Sequence, residues 1–260
     1  MRKQAVERIE RSGSGLDPRA RWGALARAVL GVPMSFAAGV EIYGDGEPVE
    51  YVYEVLHGAV RTVKVLSDGR RTIGGFYFAG DVFGIEDGRD HSFSADAIVD
   101  TGLRVIRRRT LLRVAGADSE LAQELFELTS HEIVRVHSHA LMLIKTAQER
   151  VASFLLEMCE RISIRGLIVL PMSRQDIADY LGVTIETVSR TFTLLEHSGV
   201  IALPNARTVV VRDASALTDS YSPAVSGPSG FPHMREASPR RRFTGISAVP
   251  SNDRHVGDAR

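Results

Sequence analysis

The sequence predicts an α+β fold in which a strand-rich N-terminal half is followed by a helical C-terminal half. Three observations predict it. Glycines punctuate short β-type segments between about residues 31 and 115, and from about Asp118 a run of more than forty residues has neither Gly nor Pro. Two short amphipathic segments then flank a glycine within residues 173–201.

Residues 1–30 carry many charges and a helical apolar spacing (Val6, Ile9, then Leu25, Val29), interrupted by Gly13, Gly15 and Pro18. The stretch YVYEVLHGAVRTVKVLSDGRRTIGGF reads as short strands separated by Gly58 and by the turn Ser67–Asp68–Gly69. Further glycines at 74, 75, 80, 84 and 88, then IVDTGLRVIRR, continue the pattern. Strands this short, with regular turn signals, predict a β-sandwich or small barrel.

The glycine-free run SELAQELFELTSHEIVRVHSHALMLIKTAQERVASFLLEMCERI predicts a long helix, capped by Asp118 or Ser119. Phe126, Thr129, Ile133, Val136, Ala140, Leu143 and Ala147 alternate spacings of three and four, as a two-chain seam does, so a homodimer is expected. Cys159 lies at helical spacing with Leu155, Leu156 and Ile162 and is expected in the core. Residues 214–260 hold five of the ten Pro, eight Ser and a single Leu, Leu217, and are expected to be disordered.

Composition narrows the function classes. The chain has 260 residues, 44% hydrophobic and 25% charged, the profile of a soluble globular protein. Ala28–Val40, 13 uncharged residues, contains Gly31 and Pro33 and falls short of the roughly 20 a membrane span needs. No apolar core follows the basic N-terminal residues, so no secretory signal and a cytoplasmic location are expected. A single cysteine rules out an intrachain disulfide and any thiolate-rich metal centre within one chain. The 32 basic residues are balanced by 32 acidic ones, so affinity for nucleic acid must come from local geometry. Glu86, Asp87 and Asp90 cluster in a loop without a metal-like or catalytic frame, and no enzyme is predicted.

The most informative stretch is SRQDIADYLGVTIETVSRTFTLLEHSGVI, residues 173–201. Ser173 and Asp176 form a capping-box-like start; Ile177, Ala178 and Leu181 give an apolar face; Gly182 ends the first helix. Thr184 caps a second helix with Val188, Phe192 and Leu195 on its apolar side, and Gly199 ends it. This is a helix-turn-helix. On the other side Glu186, Ser189, Arg190 and Thr193 form one stripe. Arg190 has the planar fork that pairs with guanine O6 and N7, Glu186 can accept from a cytosine amine, and Ser189 suits either base type. Thr187 supplements them, while Arg174, Gln175 and Thr184 are candidates for phosphate contacts. Leu203–Ala206 is expected to turn a hairpin between Val200–Ile201 and Thr208–Val211, a wing.

RQDIADYLGVTIETVSRTF resembles the helix-turn-helix of the CRP/FNR transcription regulators, with Glu186, Ser189 and Arg190 as the FNR-type E-x-x-S-R. EIYGDGEPVEYVYEVLHGAVRTVKVLSDGRRTIGGF, AGDVFG and TAQERVASFLLEM are similar to the FixK branch of that family; the likeness runs over roughly residues 31–213. It implies an N-terminal cyclic-nucleotide-binding-type β-roll (31–117), a dimerisation helix (118–145) and a C-terminal winged helix-turn-helix (146–213), between an N-terminal helical segment (1–30) and the tail (214–260). It further implies double-stranded DNA as partner, half-sites like TTGAT with Arg190 reading the G, and an activator that meets RNA polymerase.

Cyclic-nucleotide binders of this family hold the phosphate with a Gly–Glu and an Arg–Ser or Arg–Thr pair. Here GDVFGIEDGRDHSFSADA places Gly84–Ile85 and His91–Ser92 there, with Arg89 two positions off. Losing the bidentate Arg weakens the phosphate contact. No cofactor and no metal are therefore expected; His131, His137 and His139 are spaced by six and two, which turns them apart on a helix. His57, His91, His131, His137 and His139 are possible haem ligands, but single histidines are more often surface or hydrogen-bonded core residues, and that role is expected for each. An effector-free regulator is the expectation, with a cyclic-nucleotide-gated one as the alternative.

Overall fold

The computed structural model describes residues 31–219; residues 1–30, expected to be helical, and residues 220–260 lie outside them. Eight strands form two antiparallel four-stranded sheets. One is ordered β1 (Val32–Phe36), β8 (Thr101–Arg107), β3 (Tyr51–His57), β6 (Val82–Phe83). The other is β2 (Glu41–Tyr43), β7 (Ser94–Ala97), β4 (Ala59–Val65), β5 (Arg71–Phe78). At the predicted turn, the Arg70 N–H donates to Asp68 at 3.0 Å and Gly69 takes φ 84°. Gly58 joins β3 to β4 at φ 89°, where a Cβ would lie 2.6 Å from the Asp100 carbonyl oxygen. Only glycine fits there.

The strand pattern ends one element earlier than the sequence reading extended it. After β8, Arg108–Ala115 forms a helix, α1, whose start carries no side-chain cap and so gives no sequence signal. Leu111 anchors it beside Val52, Ile106 and Leu121. α2 (Ser119–Leu143) follows, with Asp118 accepting from the Glu120 and Leu121 N–H groups.

The glycine-free run is not one helix. It breaks at residues 144–146, where Thr146 and Glu149 form a reciprocal capping box that starts α3 (Ala147–Ile162). One face of α2 turns inward at Leu121, Leu125, Leu128 and Met142. Arg135 on that face donates to the Tyr77 hydroxyl at 2.9 Å and pairs with Glu132, tying α2 to β5. The opposite face leaves Phe126, Ile133 and Val136 at 73%, 51% and 52% exposure, with Thr129, Ala140 and Leu143 also exposed. Ala147, read into the same seam, belongs to α3 instead and is half-buried. The exposed apolar stripe of α2 therefore stops at the break.

A second core joins α3, α4 (Arg174–Leu181), α5 (Ile185–His197) and the sheet β10 (Ile201–Asn205), β11 (Thr208–Val211), β9 (Leu167–Val169). Residues on the helix-facing side of β4 and β5 (Ala59, Val63, Ile73, Phe76 and Phe78) enter the same cluster. The Phe76 ring lies 5.2 Å from Tyr180 and 6.3 Å from Phe154. Full burial of each such side chain is worth about 1.5–3 kcal/mol. Cys159 packs half-buried against this cluster, in the core as expected, with Sγ 3.7 Å from the Ser163 hydroxyl. The tail corrects the expectation of disorder at its start: Ala214–Asp219 forms α6, and Leu217 is buried in the second core. Asp213 stabilises that turn by accepting from the Ala216 N–H at 3.0 Å and the Ser215 hydroxyl at 2.6 Å.

Candidate nucleic-acid interface

α4 begins where the sequence placed it. Ser173 Oγ accepts from the Asp176 N–H at 3.1 Å, and Asp176 accepts from the Ser173 N–H at 3.0 Å and its hydroxyl at 2.8 Å. Gly182 closes the helix in the left-handed region, at φ 62° and ψ 39°. Thr184 then caps α5 by accepting from the Thr187 N–H at 3.3 Å. With both ends fixed, α5 buries Val188, Thr191, Phe192 and Leu195 and turns Glu186, Ser189, Arg190 and Thr193 outward, all exposed. Ile185, Glu186, Ser189 and Arg190 line one open depression. The predicted stripe is one continuous surface.

Its electrostatics fit a base-reading surface. The Glu186 carboxyl is held below its ordinary value by its own backbone N–H and the Thr184 hydroxyl, with Arg190 adding to the effect. An ionised acceptor thus stands one turn before a guanidinium fork, which offers both signs to a major-groove edge. The hydroxyls of Thr191 and Thr193 bond back to the carbonyls of Thr187 and Ser189, at 2.9 and 3.1 Å.

The residues expected to touch phosphate divide. Gln175 is exposed and donates to Asp179 at 2.7 Å, and Thr184 serves the α5 cap together with Thr187, the residue expected to supplement the base readers. Arg174 is turned inward. Its guanidinium lies 3.4 Å from the centre of the Phe192 ring, linking α4 to α5, and one terminal nitrogen is buried without a hydrogen-bond partner. Burial lowers its pKa to about 10, so it remains charged.

The wing forms, with the turn at Ala206–Arg207 and Asn205 accepting from the Arg207 N–H at 3.0 Å. Sequence reasoning missed its third strand, β9, which pairs Val169 with Thr208. It also missed Arg61 and Arg71, which pair with Asp176 of α4 at 2.7 Å. No local pattern marks an arginine on a strand for a helix more than a hundred residues away.

In the strand domain, the loop after Gly84 closes on itself. Glu86 accepts from His91 Nδ1 at 2.8 Å and from the Ser92 N–H at 2.9 Å, while Arg108 donates to the Glu86 carbonyl at 2.8 Å. Burial acts to raise the Glu86 pKa, but the bonds from His91 and Ser92 outweigh it and the carboxyl sits below its ordinary value. The buried His91 ring stacks on Tyr43 at 3.6 Å, and Tyr43, Tyr53, Tyr77 and Phe83 pack together with Leu103 between the sheets. His139 of α2 is half-buried and meets Tyr180 edge-on at 4.1 Å. Among the described residues, no cluster of three or more metal-ligating side chains occurs, and no helix is long and apolar enough to cross a membrane.

Comparison with known proteins places both halves. Residues 149–220 match the Crp-like helix-turn-helix domain and residues 33–118 the cyclic nucleotide-binding domain. The nitrogen fixation regulation protein FixK of Azorhizobium caulinodans is 46% identical over 220 residues, 77% of this chain and 89% of that protein. Its namesake in Rhizobium meliloti is 43% identical over 184 residues, 70% and 84% of the two chains. The solved structure of FixK2 from Bradyrhizobium japonicum, 47% identical, superposes with a TM-score of 0.71 over 73% of this chain and 96% of that one.

Proposed function

Because the chain belongs to the CRP/FNR family of transcription regulators, in its FixK-like branch, we propose that it acts as a homodimeric activator on a palindrome of TTGAT-N4-ATCAA type, without a cyclic nucleotide. It is a DNA-binding regulator and not an enzyme. The observation that carries the finer reading is the stripe of α5. Glu186, Ser189, Arg190 and Thr193 are exposed on a capped helix whose other face is buried at Val188, Phe192 and Leu195. Arg190 reads the G of each half-site, Glu186 the facing cytosine amine, and Ser189 supplements them.

The apolar stripe of α2 at Phe126, Ile133, Val136, Ala140 and Leu143 supports pairing of two copies, which sets two reading helices about one helical turn of DNA apart, roughly 34 Å. Independence from nucleotide rests on Glu86. Its carboxylate takes the Ser92 N–H and the His91 imidazole, donors an incoming phosphate would need, and aromatic rings fill the space between the sheets. RNA polymerase as the partner in activation and a cytoplasmic location belong to the same proposal.

The match of residues 33–118 to a cyclic nucleotide-binding domain favours the alternative, a nucleotide-gated regulator. Fluorescence anisotropy of the palindromic duplex against a scrambled one, at one fixed salt concentration with and without cyclic AMP, separates the two. Specific binding without nucleotide supports the proposal. Specific binding only with nucleotide supports the alternative, and equal binding to both duplexes overturns the half-site assignment.

A further inference from the structure

The β4–β5 hairpin holds the helix-turn-helix by a charge network that touches no part of the recognition stripe. Arg61 of β4 donates to Asp176 at 2.7 Å and to Asp96 at 3.1 Å. Arg71 of β5 donates to the same Asp176 oxygen at 2.7 Å and to Asp179 at 2.6 Å. The acceptors are withdrawn from water: the Asp176 and Asp179 side chains are 3% and 12% exposed. Coulomb attraction is least screened in such surroundings.

This places two charged anchors on α4, the first helix, one turn apart. α4 is in turn fixed to α5 by the Gly182 turn and by Arg174 stacked on Phe192. The other end of the chain of contacts is equally defined. Arg135 holds α2 to Tyr77 of β5, the strand that carries Arg71, and His139 of α2 touches Tyr180 of α4. The hairpin therefore relates the direction of the reading helix to that of the pairing helix. It does so without covering Glu186, Ser189, Arg190 or Thr193, which remain exposed.

We infer that Arg61 and Arg71 are positioning residues for DNA recognition: by clamping Asp176 and Asp179 they fix the angle between α5 and α2, and so set which half-site spacing the dimer accepts. The inference rests on the palindrome reading above. A residue that only supported folding would change affinity for every duplex alike. A positioning residue changes the preference among spacings, because each reading head still recognises its own half-site.

The test measures the affinities of the full-length protein for duplexes with the half-sites separated by four and by six base pairs, beside a scrambled duplex. Wild type is expected to prefer the four-base-pair spacer by about tenfold or more. Arg71→Glu, which sets like charges against Asp179 and Asp176, is expected to bring that ratio below about threefold. The double variant Arg71→Glu with Asp179→Arg, which restores one opposite-charge contact, is expected to recover at least part of the preference. Should Arg71→Glu fail to fold by circular dichroism, Asp179→Asn removes one anchor without touching the capping box and is expected to lower the ratio as well.

A folded Arg71→Glu or Asp179→Asn protein that keeps the wild-type ratio overturns the inference, as does a charge swap with no recovery. Wild type that binds the palindrome but accepts both spacings equally also overturns it. Wild type that does not distinguish the palindrome from the scrambled duplex overturns the DNA reading itself, a separate failure.

Discussion

Replacing Asp176 by Asn keeps the side-chain shape and removes the charge on which four donors converge. In the folded protein the carboxylate takes the Ser173 N–H and hydroxyl and two guanidinium groups, with only 3% of its side chain exposed. Breaking a buried ion pair costs about 3–5 kcal/mol when the partner is orphaned. Neither arginine is orphaned here. Arg61 keeps Asp96 and Arg71 keeps Asp179, and their side chains are 21% and 31% exposed. The asparagine oxygen can still serve Ser173, while its amide must face a guanidinium, donor against donor. The expected loss is therefore about 2 kcal/mol, and Asp176→Ala adds about 1 kcal/mol, because the Ser173 N–H and hydroxyl lose their acceptor while Ser173 still caps the helix.

Urea unfolding at neutral pH and fixed protein concentration measures both losses as shifts in midpoint with the slope unchanged. The pH dependence adds a second handle. Burial acts to raise the Asp176 pKa, but the bonds from Ser173 and the charges of Arg61 and Arg71 outweigh it and hold it below 3.8. Its contribution is complete above that unfolded value and disappears as pH falls through the lower folded one. Wild type and Asp176→Asn are thus expected to converge in stability only below about pH 4. A loss under about 0.5 kcal/mol at neutral pH would contradict this, because it would leave Asp176 no more valuable than an exposed surface pair.

Three further outcomes are expected. Gly58→Ala combines a positive φ with a Cβ against backbone atoms and should lower stability by about 2–3 kcal/mol in urea unfolding; a loss under about 1 kcal/mol would show that the turn relaxes. Ile133→Glu puts a charge at the centre of the α2 stripe and should give a monomer by sedimentation equilibrium, with binding to the palindrome weakened about 100-fold or more; a dimer of wild-type strength would remove the seam from this face. Burial lowers the His139 pKa, partly opposed by Glu157 and supported by Arg135, so its neutral form stabilises the fold above the ordinary value near 6.5 and stability declines as pH falls below it. His139→Leu should flatten that part of the stability–pH curve, and an unchanged slope between pH 7 and 5 would refute the assignment.

The helix-turn-helix was legible in the sequence because its determinants are local: Ser173 with Asp176, Gly182, Thr184 and the apolar triplet Val188, Phe192 and Leu195 all act within a few residues. The break between α2 and α3 was legible in principle too, since Thr146 and Glu149 form a T-x-x-E cap, but the uninterrupted apolar spacing masked it. α1 carries no cap and follows a strand without a turn residue, so nothing local announces it. Leu217 illustrates the opposite error: a single leucine in a proline- and serine-rich stretch reads as disorder until its partner core is known. The inward turn of Arg174 depends on the Phe192 ring lying beside it, and the Arg61–Asp176 contact on how two domains dock. Both are tertiary facts that no window of sequence contains.

In the proposed function Arg190 reads a guanine in each half-site. A double-mutant cycle tests it most directly, with wild type and Arg190→Ala each titrated against the palindrome and against the same duplex with the two G·C pairs replaced by A·T. Arg190→Ala should cost about 1–3 kcal/mol per half-site on the intact palindrome and almost nothing once the guanines are gone. If the two losses simply add, or if Arg190→Ala weakens random DNA as much as the palindrome, Arg190 contacts phosphate or nothing, and the recognition stripe is not where the sequence is read.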